Sequence, residues 1–130
     1  MSAMDVKVVD ASALAAIVFG EAEAAEVERR FGDARLTAPA LLRFEMANTC
    51  LMKLRRYPDS RSDLLNAFAR FGGLIVETPG VDYSDILLLA EQFRLTAYDA
   101  SYLWLAQHLD AELVTLDRRL ARAAEALRQT

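Results

Sequence analysis

Short apolar runs alternate along the chain with longer stretches whose apolar residues recur at helical spacing. The runs are three or four residues long, rich in valine and leucine, and bounded by proline, glycine or acidic residues, which is typical of short buried strands. The second run stops before Pro39, and the residue before a proline is pushed toward extended geometry. The pattern predicts four strands, at residues 6–9, 36–38, 74–76 and 113–116.

The stretches between these runs predict helices. Ser12 is a suitable N-cap for the first helix, and Pro58 ends the third helix and can open the fourth. One apolar stripe of the third helix is expected to pack against the core, and it consists of Phe44, Ala47, Leu51 and Leu54. The predicted helices span residues 13–19, 21–31, 40–56, 58–71, 83–93, 99–109 and 118–127.

The order of these elements predicts the fold class. Short apolar strands separated by one helix or a helix pair indicate right-handed crossovers, which produce a parallel sheet covered on both faces. We therefore expect a three-layer α/β fold with a short central parallel sheet, formed by residues 1–130 as a single domain. Ligands of such sheets bind in the crevice outside the carboxyl ends of the strands.

Composition narrows the functional classes. A single cysteine, Cys50, excludes an internal disulfide framework, and a single histidine, His108, excludes His-rich metal sites. The net charge of −4 argues against a protein that binds nucleic acid through its overall charge alone, although binding through a local basic surface stays possible. The start of the chain lacks the basic and apolar regions of a signal peptide, and no apolar stretch is long enough for a membrane span. We expect a soluble cytoplasmic protein.

Two aspartates directly follow predicted strands. Asp10 follows the first strand and Asp117 follows the fourth, so both should emerge at the same edge of a parallel sheet. Each also has a structural explanation, because aspartate is a favoured N-cap and both precede a predicted helix.

Asp99 and Glu45 are further candidates for the same site. Asp99 opens a segment, residues 98–106, that is apolar almost all round and predicted to be buried, where a carboxylate is costly unless paired or bound to a cation. It could equally be a first-turn acid that the helix dipole stabilises. Glu45 lies away from the apolar stripe of its helix and shares a face with Asn48, although a solvated helix residue would do the same.

Convergence of these four acids would create a site with oxygen ligands only. Such a site favours the hard cations Mg²⁺ or Mn²⁺, and the chemistry that most needs them on carboxylates is displacement at phosphorus.

Several motifs resemble those of PIN-domain ribonucleases, and specifically of the VapC toxins of VapBC toxin–antitoxin modules. The resemblance begins with the run Val8-Val9-Asp10-Ala11-Ser12-Ala13-Leu14. It continues from Pro39 to Glu45 and Asn48, through Tyr98-Asp99-Ala100-Ser101-Tyr102, and through Val114-Thr115-Leu116-Asp117. It covers nearly the whole chain, with the four acids in the order of the family.

The resemblance implies the activity and the role of each residue. Asp10, Glu45, Asp99 and Asp117 would bind Mg²⁺ or Mn²⁺ and support endonucleolytic RNA cleavage by metal-activated water. Asp10 and Asp99 are the expected direct ligands, while Glu45 and Asp117 complete the site or orient the water. Ser12 and Thr115 match hydroxyl positions that support the first and last acids, and Asn48 matches a polar neighbour of the glutamate.

The resemblance also implies partners. A VapC-like toxin forms a homodimer and is inhibited by a small VapB-like antitoxin, whose C-terminal segment blocks the acidic pocket, often with a basic side chain. Contact with DNA would be indirect, through the antitoxin, and no membrane is involved.

Basic residues near the acids allow two interpretations. Arg118 and Arg119 adjoin Asp117 and are the better candidates for positioning RNA phosphates. A second basic stretch lies at the end of the third helix and could contact RNA or simply be solvated surface; it comprises Lys53, Arg55, Arg56 and Arg61.

Other acidic α/β proteins fit the sequence less well. A phosphotransfer receiver domain would have adjacent acids after the first strand and a lysine after a late strand, and neither is present. A phosphatase of the haloacid dehalogenase type would have an aspartate where this chain has Ser12. The remaining alternative is a catalytically silent PIN-fold binding module that acts through a protein partner.

Overall fold

A parallel sheet of four short strands forms the centre of the computed structural model, which describes residues 5–130. The strands lie in the order β3-β2-β1-β4, and every neighbouring pair is parallel. In chain order they are β1 (Val6–Val9), β2 (Arg35–Thr37), β3 (Val76–Glu77) and β4 (Glu112–Val114). The strand that opens the chain therefore lies between β2 and the last strand.

Helices form every connection between strands. Two helices join β1 to β2, two join β2 to β3 around a 3₁₀ turn (Pro58–Ser60), two join β3 to β4, and one follows β4. They are α1 (Ala11–Val18), α2 (Ala24–Phe31), α3 (Leu41–Arg56), α4 (Arg61–Gly72), α5 (Tyr83–Phe93), α6 (Ala97–Leu109) and α7 (Arg118–Arg128). The predicted three-layer α/β class is confirmed.

The sequence prediction about the start of the chain lies largely outside the described residues, because the structure describes nothing before Asp5. Over residues 5–130, no helix combines the length and the apolar character that crossing a membrane requires.

The start of α1 differs from the prediction. Ser12 was expected to cap the helix, but the N-cap is Asp10, which is extended (φ −94°, ψ 172°) and accepts a hydrogen bond from the backbone N–H of Ala13. The chain turns from strand into helix within one residue, so Ser12 already lies inside the first turn. Its hydroxyl is thereby free to bond to other groups.

The orientation of α3 also differs from the prediction. The stripe of Phe44, Ala47, Leu51 and Leu54 was expected in the core, but the Phe44 side chain is 81% exposed and Leu51 is also exposed. The core instead receives Leu42, Met46 and Cys50, one helical turn apart on a different face. Both stripes have helical spacing, so periodicity could not choose between them, and packing against the sheet decided.

Helix α6 is the most deeply packed helix, as its all-round apolar character predicts. Seven consecutive residues, from Ala100 to Ala106, are buried, including Tyr102 and Trp104. Full burial of a side chain such as Leu103 contributes about 1.5–3 kcal/mol, which fixes the helix firmly against the sheet. The first turn of α6 is consequently held in place at the carboxyl edge.

Candidate active site at the carboxyl edge of the sheet

The junction between β1 and β4 positions the first acid. Val9 pairs with Val114 in the parallel register, and the backbone N–H of Asp10 donates to the carbonyl of Val114 at 3.3 Å. Asp10 thus leaves the sheet beside Thr115, and Asp117 follows two residues later. Because β1 and β4 are neighbours in the sheet, residues more than one hundred positions apart in the sequence lie side by side.

The Asp10 carboxylate is buried and receives three hydrogen bonds. Oδ1 accepts from the Ser12 hydroxyl at 2.7 Å and from the backbone N–H of Ala13 at 3.1 Å, while Oδ2 accepts from the Thr115 hydroxyl at 2.5 Å. Only 6% of Asp10 is exposed. Burial raises the pKa of Asp10 above its ordinary value, the three hydrogen bonds oppose this, and the Asp117 charge adds to it.

The two hydroxyls that support Asp10 are themselves anchored by the backbone after β4. The N–H of Leu116 donates to the Ser12 oxygen at 2.9 Å, and the N–H of Asp117 donates to the Thr115 oxygen at 3.0 Å. Thr115, expected to support the last acid, therefore gives its proton to the first acid and meets Asp117 only through the backbone. Ser12 donates to the first acid.

Asp117 and Asp99 both lie at helix N-termini. Asp117 is the N-cap of α7 and accepts from the backbone N–H of Leu120 at 3.1 Å. Asp99 lies half-buried in the first turn of α6, which Thr96 caps. Burial and the Asp117 charge raise the pKa of Asp99, and the positive charge of Arg119 opposes them. The structural explanations for these acids hold, and they do not compete with a site at the same place.

Glu45 reaches the same edge from α3. It is half-buried, and its Oε1 accepts a hydrogen bond from the Tyr102 hydroxyl at 2.6 Å. Burial raises the pKa of Glu45, the Tyr102 bond lowers it, and the charges of Asp99 and Asp10 raise it further. The glutamate is thus electrostatically coupled to acids on two other elements.

The pKa shifts show that the four acids form one electrostatic cluster. Asp10 is coupled to Asp117, Asp117 to Asp99, Asp99 to Glu45, and Glu45 back to Asp10. The N-termini of α1, α6 and α7 all point to this cluster, and their partial positive charges help to hold acids there.

The donor set fits a divalent metal ion. The four side chains offer only oxygen atoms, and the pKa values of Asp10, Glu45 and Asp99 are raised; Mg²⁺ or Mn²⁺ would stabilise carboxylates of this kind. Across residues 5–130, however, no three His, Cys, Asp or Glu side chains already stand at metal-holding distances.

The remaining predicted site residues differ in exposure and in hydrogen bonding. Asn48 is exposed, and no side-chain hydrogen bond involves it within the described part of the chain. Arg118 is exposed, whereas Arg119 donates to the carbonyl of Arg94 at 2.6 Å and remains near Asp99. In the second basic stretch Lys53 is paired with Glu21 at 2.8 Å, and exposed positions are held by Arg55, Arg56 and Arg61.

Sequence reasoning missed two contributors to this edge. Tyr102 belongs to the segment predicted to be buried; it is buried, and its hydroxyl also donates to Glu45. Its position three residues after Asp99, on the same face of α6, was the available signal. Arg30 of α2 donates to the carbonyls of Leu113 and Thr115 at 3.3 and 3.2 Å, and the sequence carries no signal for it.

Comparisons with known proteins agree with this fold. The family model of the PIN domain matches residues 7–126. Ribonuclease VapC3 of Pyrobaculum aerophilum is 35% identical over 125 residues, which cover 92% of this chain and 95% of that protein. The crystal structure of PAE2754 from Pyrobaculum aerophilum superimposes with a TM-score of 0.73 at 24% identity, covering 95% of this chain and 86% of that one, and so shares the fold.

Proposed function

The chain belongs to the VapC group of the PIN-domain family, and we propose that it is a metal-dependent endoribonuclease acting as the toxin of a VapBC-like pair. One observation carries the proposal: four carboxylates, one directly after β1, one on α3, one on α6 and one after β4, lie at the carboxyl edge of the sheet, where burial and neighbouring negative charges raise the pKa values of Asp10, Glu45 and Asp99. Residues 1–130 form a single PIN domain in this proposal. The fold supplies the rigid edge, and the acids supply the chemistry.

Each of the four acids has a proposed role in binding the cation, Mg²⁺ or Mn²⁺, or the reacting water. Asp10 and Asp99 are the proposed direct ligands; Oδ2 of Asp10 accepts one hydrogen bond, from Thr115, and keeps a second lone pair for a cation. Glu45 and Asp117 complete the site or orient the water. When bound, a cation of this class makes water more acidic and offsets charge on a phosphodiester.

Arginine side chains beside the cluster would position the RNA. Arg118 is exposed next to Asp117, and Arg119 is fixed by its bond to the Arg94 carbonyl so that its charge stays near Asp99. Cationic groups at the rim of an acidic centre place phosphates without reading sequence. We propose that these two arginines, more than the basic end of α3, contact the substrate backbone.

The proposed partners follow from membership of the family. They are a VapB-like antitoxin, the RNA substrate and a second copy of the chain in a homodimer, with DNA reached only through the antitoxin. A partly exposed acidic cluster is complementary to a basic antitoxin side chain, which would block it in the cytoplasm.

The test combines RNA digestion with thermal melting of the purified, antitoxin-free chain. We expect cleavage with Mg²⁺ or Mn²⁺, no cleavage with EDTA, and a higher melting temperature when metal is added, because the ion binds only the folded site. Replacing both Asp99 and Asp117 by Asn should remove the cleavage and the thermal shift while the chain stays folded, since Asn is an equally good N-cap.

A matched control is available on α5. Asp82 is the N-cap of that helix and Asp85 lies in its first turn, which reproduces the helix positions of Asp117 and Asp99 away from the cluster. The Asp82→Asn, Asp85→Asn variant should keep both the cleavage and the thermal shift. If millimolar metal shifts nothing and EDTA leaves cleavage untouched, the nuclease mechanism is wrong, and a silent binding module becomes the better explanation.

A further inference from the structure

Tyr102 differs from the other tyrosines of the chain. Tyr57, Tyr83 and Tyr98 are exposed, whereas Tyr102 of α6 is 1% exposed and packs in the hydrophobic core of the protein. Its hydroxyl nevertheless reaches the edge of the sheet and donates to Glu45 Oε1 at 2.6 Å. A buried ring with its polar end on a cluster carboxylate combines a fixed position with a specific hydrogen bond.

The hydrogen bond joins two helices that are far apart in the sequence. Among the hydrogen bonds of the described residues, it is the one that connects α3 with α6, and its ends are 57 positions apart. Asp99 lies one turn before Tyr102 on α6, so one helix supplies an acid and also holds the acid of another helix.

The bond also opposes a repulsion. The charges of Asp99 and Asp10 act on Glu45, and a glutamate with three rotatable side-chain bonds could turn away toward the exposed side of α3. A phenol is protonated at neutral pH and a carboxylate only accepts, so the Tyr102 hydroxyl is the donor of this bond. Glu45 is thereby kept facing the cluster.

We propose that Tyr102 is the positioning residue of the site: its hydroxyl holds Oε1 of Glu45 so that Oε2 is presented to the cation. This inference rests on the proposed function, because it assigns a role to Glu45 within the metal site. A tyrosine that only fills the core would affect folding stability and leave metal affinity unchanged. Metal affinity therefore distinguishes the two roles.

The test is isothermal titration of the full chain with Mn²⁺ and with Mg²⁺, comparing the wild type with Tyr102→Phe. Loss of a residue that orients a metal ligand typically weakens metal binding about 10–100-fold, and we expect a loss in that range. RNA cleavage by the variant should fall at low metal and recover at saturating metal, and melting curves in EDTA check that the variant is folded at the assay temperature, so that a folding defect does not cause the loss.

Two further variants make the result specific. Ser101→Ala removes another buried hydroxyl of α6, one that donates to the carbonyl of Tyr98 and touches none of the four acids. It should bind metal as the wild type does. Because Tyr102 acts through Glu45, adding Tyr102→Phe to Glu45→Gln should cause no further loss of affinity.

The outcomes separate this inference from the proposed function. Metal binding by the wild type with unchanged affinity in Tyr102→Phe would overturn the role of Tyr102 alone, whereas no binding by the wild type would overturn both. Should Tyr102→Phe fail to fold, NMR of the Tyr102 ring in the wild type decides. The ring signals should shift with the same midpoint as metal binding, and an unchanged ring would contradict the proposal.

Discussion

Asp10 and Glu45 face the same cluster but are held in contrasting ways. Asp10 is nearly buried and receives three hydrogen bonds, two of them from residues within three positions along the chain. Glu45 is half-buried and receives one hydrogen bond, from Tyr102 on a distant helix. The strand-end part of the site is therefore built into the sheet, and the helical part depends on how α3 and α6 pack.

The difference shows how one fold can hold repelling charges together. At the strand ends, hydroxyls and a backbone N–H stabilise a carboxylate that burial alone would penalise. On α3, Glu45 is partly exposed to water and receives one hydrogen bond, from the Tyr102 hydroxyl. This bond fixes the direction of the Glu45 side chain. We therefore expect changes at the strand ends to alter folding stability as well as activity, and changes around Glu45 to alter mainly metal affinity.

The largest effect is expected from Asp10→Asn, which removes the charge and keeps the shape. RNA cleavage should fall by more than about a hundredfold, since losing even a supporting residue of a metal ligand costs about 10–100-fold. Without metal, the melting temperature should not fall, because the change relieves repulsion and the burial of a charge. Digestion assays and melting curves in EDTA measure both. Full metal-dependent cleavage by the pure variant would exclude Asp10 from the site.

Thr115→Val tests the strand-end part directly. It leaves Asp10 Oδ2 and the N–H of Asp117 without their partner in a buried place, which should lower the free energy of unfolding by about 1–3 kcal/mol. Thr37→Val is the control, because Thr37 is also buried at a strand end but bonds only to the carbonyl of Glu77. Urea unfolding and metal titration should show that only Thr115→Val also weakens metal binding. Equal metal affinity in the two variants would contradict this prediction.

The pH dependence of stability should reveal the raised pKa values. The pKa values of Asp10, Glu45 and Asp99 lie above their ordinary values of 3.8, 4.5 and 3.8. At pH values between the ordinary and the raised pKa values, the folded chain therefore binds more protons than the unfolded chain. In EDTA, the contribution of these acids to stability should therefore fall as pH rises from about 4 through their folded pKa values.

Comparison with Asp10→Asn isolates the effect from that of other carboxylates. The melting temperature of the variant should fall less steeply over the same pH range. With Mg²⁺ present, the dependence should reverse, since protons compete with the ion for the same oxygens. Parallel curves for the wild type and the variant in EDTA would show that Asp10 has an ordinary pKa.

The smallest effect is expected from Arg30→Met. The Arg30 side chain lies beside the edge strand β4. The guanidinium of Arg30 binds the carbonyls of Leu113 and Thr115 along the edge strand β4. Its loss should lower the free energy of unfolding by about 0.5–1.5 kcal/mol. Cleavage should change little, because the hydroxyl bond from Thr115 to Asp10 remains. The exposed neighbour Arg29→Met is the control, and a large loss of cleavage in Arg30→Met would show that β4 needs this support.

The predicted elements agree with the structure to within a few residues, because short β-branched runs and helical spacing depend on local chemistry. The positions of Asp10 and Asp117 after strands were likewise predictable, since the carboxyl ends of parallel strands share one edge. The face of α3 was not predictable, because two apolar stripes of that helix satisfy the same period. The stripe that is buried contains Leu42 and Met46, and contacts with the rest of the fold determine which of the two stripes is buried.

The sequence by itself determined which elements form, that they build a parallel α/β sheet, and that Asp10 and Asp117 follow strands that end at one edge of it. Only the tertiary structure decided that Asp10 accepts from Thr115, that Arg30 supports the edge strand, and that Tyr102 holds Glu45. The physical reason is the range of the interactions. Strand and helix preferences act over a few residues, whereas hydrogen bonds between residues 57 to 105 positions apart exist only after the core has set the distances between elements.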